Sequence, residues 1–150
     1  MQQPRLPDAI LFACNYNVVR SPMAAALMRD LYGRRVFVDC CGLKAGEAVD
    51  PFAAAAMAEL GLNIAEHRPK SFDELQDGSF DLVVSLTPQA QHRAVELARG
   101  RAVEIEYWPT ADPTLETGAR EQRLQGYRQV RDGLRRRLME RFGPPPTAAP

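Results

Sequence analysis

Four stretches of the chain read as strands, and their two kinds of pattern say where each lies in a sheet. Ile10-Leu11-Phe12-Ala13 and Leu82-Val83-Val84-Ser85-Leu86 are nearly continuous apolar runs, as expected where helices cover both faces. These two belong at the centre. Val36-Phe37-Val38-Asp39-Cys40 and Val103-Glu104-Ile105-Glu106-Tyr107 are interrupted by acids, which suits strands with one edge or face nearer water. These two belong outside.

Helical patterns at Ser21 to Tyr32, Asp50 to Leu60, Pro88 to Ala98 and Arg120 to Phe142 follow the strands in turn or lie between them. Alternating strand and helix predicts a parallel α/β fold. Ser21-Pro22 and Asp50-Pro51 each offer an N-cap residue before a proline at the first helical position, and Gly33 and Gly61 sit where helix-ending glycines belong. A short helical turn is expected to begin at Ser71, with Asp73 and Glu74 in its first turn. With the apolar strands central, the sheet has the order 2-1-3-4, in a single-domain, three-layer, flavodoxin-like sandwich. The winding direction then reverses between the first and third strands, and ligands bind at such a switch point. The loop leaving the first strand there is Cys14 to Arg20.

Composition narrows the class without naming a function. A chain of 150 residues, 45% hydrophobic and 25% charged, is ordinary for one globular domain and excludes collagen, coiled coil and disulfide scaffold. The domain is read as residues 1–142, and residues 143–150, Gly-Pro-Pro-Pro-Thr-Ala-Ala-Pro, as a flexible Pro-rich tail. Nineteen basic residues balance nineteen acidic ones, so no global field draws the protein to nucleic acid or to a membrane surface. The longest apolar stretches fall short of the ~18 residues of a membrane span, and the N-terminus lacks the pattern of a signal peptide. A cytoplasmic location is expected. Three cysteines, with Cys40 and Cys41 adjacent, make no disulfide framework and suit a reducing compartment.

The candidate chemistry lies in Cys14-Asn15-Tyr16-Asn17-Val18-Val19-Arg20-Ser21-Pro22. A thiol that ends a buried strand and faces a helix N-terminus meets unpaired N–H groups and a helix dipole that favour the thiolate. That makes Cys14 the candidate nucleophile. The N–H groups of Asn15, Tyr16, Asn17, Val18, Val19 and Arg20 form an anion nest, and the Arg20 fork can bind two oxygens of a tetrahedral oxyanion. Ser21 can cap the helix and donate to the sulfur. Cys-x5-Arg alone is a weak signal, and a small apolar cysteine beside a surface arginine is its plainer reading. The preceding strand, the Ser-Pro helix start and the switch-point location together make it strong.

Ile10 to Ala24 resembles the start of the low-molecular-weight protein tyrosine phosphatases and of the related thioredoxin-linked arsenate reductases. The likeness continues through Gly61 to Arg68, Asp81 to Leu86 and Trp108 to Pro113. It implies the phosphotyrosine phosphatase I type of sandwich and a two-step phosphoryl transfer. Cys14 would attack phosphorus, Arg20 and the loop amides would stabilise the equatorial oxygens, and Asp112 would protonate the leaving oxygen. Water would then hydrolyse the phosphocysteine. Asn17 would fix the loop's shape, with His67 in support. The implied partners are a phosphorylated protein or small aryl phosphate, with phosphate, sulfate and arsenate as inhibitors or substrates. No cofactor is implied, and two distant histidines without a Cys or carboxylate cluster argue against a metal.

Several residues depart from the family pattern. Tyr16 stands where these families usually have glycine, and a positive φ there would cost tyrosine about 1–2 kcal/mol. Asn15 replaces an apolar residue that lines the aromatic slot, Val19 replaces a cysteine, and Thr114 and Leu115 follow Asp112-Pro113 in place of a tyrosine pair. The absence of cysteine from Leu86 to Ala98 excludes a reductase that passes electrons through two internal thiols there. Yet Tyr107-Trp108 and Tyr127-Arg128-Gln129-Val130-Arg131-Asp132 look closer to the reductase branch. Two alternatives to a phosphatase therefore stay open: an arsenate reductase using an external low-molecular-weight thiol or a redoxin, and a non-catalytic oxyanion-binding module.

The remaining candidates have plainer readings. Asp50-Pro51 reads as an N-cap, His92 as solvated, and Cys40 and Cys41 as structural residues on opposite faces of a strand. Asp112-Pro113 could also be a simple helix start, but its loop follows the fourth strand and opens on the side where Cys14 must lie. The last helix puts Leu124, Tyr127, Val130, Leu134 and Leu138 on one face, leaving Arg135, Arg136, Arg137 and Arg141 mostly outward.

Overall fold

The apolar run from Ile10 has no exposed face, and the chain uses it as the middle of the sheet. In the computed structural model, which describes residues 6–76 and 78–146, β1 (Ala9–Cys14) pairs in parallel with β2 (Phe37–Gly42) and with β3 (Leu82–Ser85). The edge strand β4 (Glu104–Tyr107) pairs with β3 and keeps a half-exposed pattern, as its alternating acids require. The sheet order is β2-β1-β3-β4, as expected.

Alternation along β1 divides the core into two layers. Ile10, Phe12 and Cys14 face α1 (Arg20–Tyr32), α2 (Pro51–Ala58) and α4 (Arg120–Phe142), while Leu11 and Ala13 face α3 (Pro88–Ala98). Cys40 lies in the first layer and Cys41 in the second, both fully buried. Burial pushes the Cys40 thiol up to about 11 and Cys41 up as well. Both strand ends shift from the expected bounds. β2 continues to Gly42, whose N–H donates to Lys70 O (2.8 Å), and β3 stops at Ser85, although Leu86 N–H still donates to Ala13 O (2.8 Å).

Helix ends follow the sequence in part. Asp50 caps α2, its Oδ1 accepting from Phe52 N–H at 2.7 Å, and Gly61 closes that segment at φ +76° with Gly61 N–H to Ala58 O and Leu62 N–H to Met57 O. The Ser71 turn forms as a 3-10 segment, Phe72–Glu74. One expectation is corrected. Ser21 is not an N-cap: α1 begins at Arg20 after Val19, and the Ser21 hydroxyl points into the protein instead. Gly33 closes α1 as expected, in the right-handed region at φ −63°.

On α4 the apolar face is buried as expected, and Arg135, Arg136 and Arg137 are exposed. Arg141 departs from that outward set by pairing with Glu106 at 2.8 Å. Across the α2–α4 seam, Glu59 receives Arg128 and Arg131 at 2.7 Å each, and these hydrogen bonds, Arg128's first, hold its carboxyl down at about 2. The tail residues 147–150 lie outside the described residues.

Candidate active site

The segment after β1 is held by its carbonyls. Cys14 O, Asn15 O, Tyr16 O and Val18 O accept from the N–H groups of Leu43 (3.1 Å), Lys44 (3.1 Å), Gly46 (2.9 Å) and Asp50 (3.0 Å). With the carbonyls turned outward, no N–H from Asn15 through Val19 donates to a protein acceptor among the described residues. Backbone donors left this way are rare inside proteins and mark an anion nest. The close approach depends on Gly42, where a Cβ would stand 2.8 Å from Asn17 N and 2.9 Å from Asn15 O. Nothing in the sequence singled out that glycine.

Asn17 sets the curl. Its φ of +59° makes it the left-handed residue of the loop, a conformation asparagine tolerates better than most residues. Tyr16, where a positive φ would have been costly, keeps a negative φ, and it is 56% exposed. The Asn17 side chain is fully buried and bonded throughout. Its Oδ1 accepts from Lys70 N–H (2.9 Å), so the His67 Nε2 at 2.9 Å from the same oxygen must carry a proton and donate. Burial, then the charges of Lys70 and Arg29, lower the His67 pKa and keep the ring neutral. Lys70 is itself pinned by Asp39. Its part in the site was invisible in the sequence.

Cys14 Sγ lies 2.9 Å from Ser21 Oγ, with the cysteine 3% exposed. Asn17 Nδ2 donates to Ser21 Oγ (2.8 Å), which leaves the serine one proton to place on the sulfur or on Cys41 O (3.2 Å). A thiol needs no such donor and a thiolate does. The hydroxyl therefore follows the sulfur's charge.

Arg20 reaches the loop that carries Asp112. Arg20 Nη1 donates to Thr110 O (2.9 Å), and its Nε and Nη2 have no protein acceptor among the described residues. The Asp112 segment is anchored by Trp108 N–H to Ser85 O (2.8 Å) and Thr110 N–H to Leu86 O (3.1 Å). Trp108 packs edge-on against Phe12 and bonds Glu106 through Nε1 (3.0 Å). Asp112 Oδ1 caps a 3-10 turn, Pro113–Leu115, by accepting from Thr114 N–H and hydroxyl, while Oδ2 is left unbonded. Helix start and proton donor are thus compatible roles. On the other side, Asn15 Oδ1 accepts from Thr87 Oγ1 (2.8 Å). No group of three or more His, Cys, Asp or Glu side chains gathers as a metal site among the described residues, and no helix there is long and apolar enough to cross a membrane.

Comparison with known proteins agrees with this geometry. The family model described as low molecular weight phosphotyrosine protein phosphatase matches residues 9–141. An arsenate reductase of Halalkalibacterium halodurans is 30% identical over 86% of this chain and 91% of its own length. A probable low molecular weight protein-tyrosine-phosphatase, EpsP, of Ralstonia nicotianae is 34% identical over 69% of this chain and 77% of its own. A solved arsenate reductase in the phosphate-binding state superposes with a TM-score of 0.72 at 26% identity, covering 88% of this chain and 94% of that one.

Proposed function

The chain belongs to the low molecular weight phosphotyrosine protein phosphatase family, and from that premise we propose that it is a cysteine-dependent phosphomonoesterase. The observation that carries this reading is the row of N–H groups from Asn15 to Val19, free of protein acceptors among the described residues and curled beside a buried sulfur. Such a nest holds a tetrahedral dianion, and the open edge of Arg20 supplies two further donors.

In this reading the Cys14 thiolate, with the Ser21 proton on it, attacks phosphorus in line with the leaving oxygen. The S–P bond forms as the P–O bond breaks, and Asp112 gives its proton to the departing oxygen. The loop amides and Arg20 hold the equatorial oxygens as charge redistributes over them. Water then attacks the phosphocysteine, Asp112 takes the proton, and the sulfur leaves as thiolate with inorganic phosphate released. The Asn17 side chain, held by His67 and Lys70, positions the loop. A cytoplasmic enzyme with phosphorylated protein or small aryl phosphate as substrate fits this chemistry.

Arsenate reduction is the second reading, because relatives of 30% identity carry that name and arsenate matches phosphate in shape and charge. Cys40 and Cys41 are both fully buried, so an external thiol would have to resolve the arsenylated Cys14. One paired assay separates the readings. Aryl phosphate hydrolysis and thiol-dependent arsenite formation are measured on one preparation, with Cys14→Ser as blank. Hydrolysis without arsenite supports the phosphatase, the reverse supports the reductase, and oxyanion binding without either reaction leaves a binding module. Asp112→Asn is expected to slow hydrolysis about 10²–10⁴-fold, most for poor leaving groups.

A further inference from the structure

The first turn of α4 carries the wrong charge for its position. A helix N-terminus favours anions, yet α4 opens with Arg120 and places Arg123 one turn on. The acid of that turn, Glu121, is taken by Arg128 at 2.6 Å. Arg128, Arg131, Arg141 and Arg93 all have carboxylate partners, whereas Arg120 and Arg123 have none among the described residues. Both guanidiniums instead lie over the Phe52 ring, at 5.7 and 4.5 Å from its centroid. Each such contact is weak, and two like charges sharing one ring repel each other. An acidic ligand would relieve that repulsion.

A chain of contacts links the pair to the loop after β1. Phe52 stacks on Tyr127 at 5.4 Å, and the Tyr127 hydroxyl donates to Asp50 Oδ2 (2.9 Å). Asp50 N–H in turn holds Val18 O. Since positive and negative charges balance over the whole chain, this is a local field at the edge of the site.

We propose that Arg120 and Arg123 read acidic side chains flanking the phosphorylated residue of a protein substrate. The inference rests on the phosphatase reading and names its substrate class. A guanidinium takes a carboxylate in a two-point fork, and charges at an interface rim act chiefly on association and its salt dependence.

The test uses the full chain and two phosphopeptides with the same phosphorylated residue, one flanked by Asp and Glu, the other by Gln and Asn. Peptide binding to Cys14→Ser is followed by fluorescence polarisation, and wild-type kcat/KM is measured on both peptides and on a small aryl phosphate. The acidic peptide is expected to be preferred roughly tenfold at low salt, with the preference shrinking as salt rises. Arg120→Gln with Arg123→Gln abolishes the preference and Arg120→Glu with Arg123→Glu reverses it, while aryl phosphate kcat/KM stays within about twofold. Equal affinity for the two peptides, or an equal loss on aryl phosphate, overturns the proposal. So does binding to anionic vesicles or duplex DNA that matches the acidic peptide and falls with the same variants. Peptide preference with no turnover of any phosphate ester overturns the phosphatase reading and leaves the acidic-segment surface standing.

Discussion

Two crossovers leave the same end of the sheet from adjacent central strands, and they treat their helix starts in opposite ways. After β3, Thr87 caps α3 by accepting Ala90 N–H on its hydroxyl at 3.1 Å, so the protein satisfies its own donor. After β1, Val19 precedes α1 and brings no side-chain acceptor, and the five N–H groups before Arg20 find none either among the described residues. The same strand-to-helix geometry yields a closed corner in one case and a cradle in the other. Donors left open in this way are what an anion nest offers a guest.

The sharpest way to break that contrast is Cys14→Ser. Turnover of aryl phosphate is expected to fall by at least about 10⁴-fold, as when a catalytic nucleophile is removed elsewhere. Phosphate binding should persist in calorimetry, because the amides remain. Gly42→Ala attacks the cradle from behind. Its Cβ would press on Asn17 N and Asn15 O, and the expected result is about 1–3 kcal/mol lost in denaturant unfolding, with weaker phosphate binding. Normal affinity in a folded Gly42→Ala protein would show that the loop's curl does not depend on that approach.

Thr87→Ala tests the closed corner. Loss of the cap should lower stability by about 1 kcal/mol and leave aryl phosphate kcat nearly unchanged, since α3 carries no proposed catalytic group. A large fall in kcat would mean that its bond to Asn15 shapes the site.

The smallest effect lies far from both corners. Glu59 is held at about 2 against an ordinary 4.5, so its ionised form favours the folded state. That contribution is complete above about pH 4.5 and disappears as the pH falls toward 2. The gap in Tm between wild type and Glu59→Gln should therefore narrow across that window and be constant above it. Exposure and solvent screening keep the gap modest.

Helices α3 and α4 begin and end where their helical patterns place them, and the order of the strands follows from which runs are continuously apolar. These are local signals, carried within a dozen residues. Cys14 was equally legible as a thiol between a strand and a helix start. Ser21 misled, because a Ser-Pro pair looks like a cap whether or not its hydroxyl is claimed by a sulfur seven residues earlier. The strain considered for Tyr16 does not arise, since the left-handed conformation falls on Asn17, the next residue.

Burial pattern, cap chemistry and turn residues thus determined the architecture and marked the candidate nucleophile, since each depends on neighbours along the chain. The shape of the cradle came from elsewhere. Gly42 against Asn17, Lys70 and His67 on the same amide, Thr110 under Arg20 and two arginines on Phe52 are meetings of residues 20 to 90 positions apart. Such meetings are fixed by how layers pack on the sheet, and no spacing within one segment encodes them.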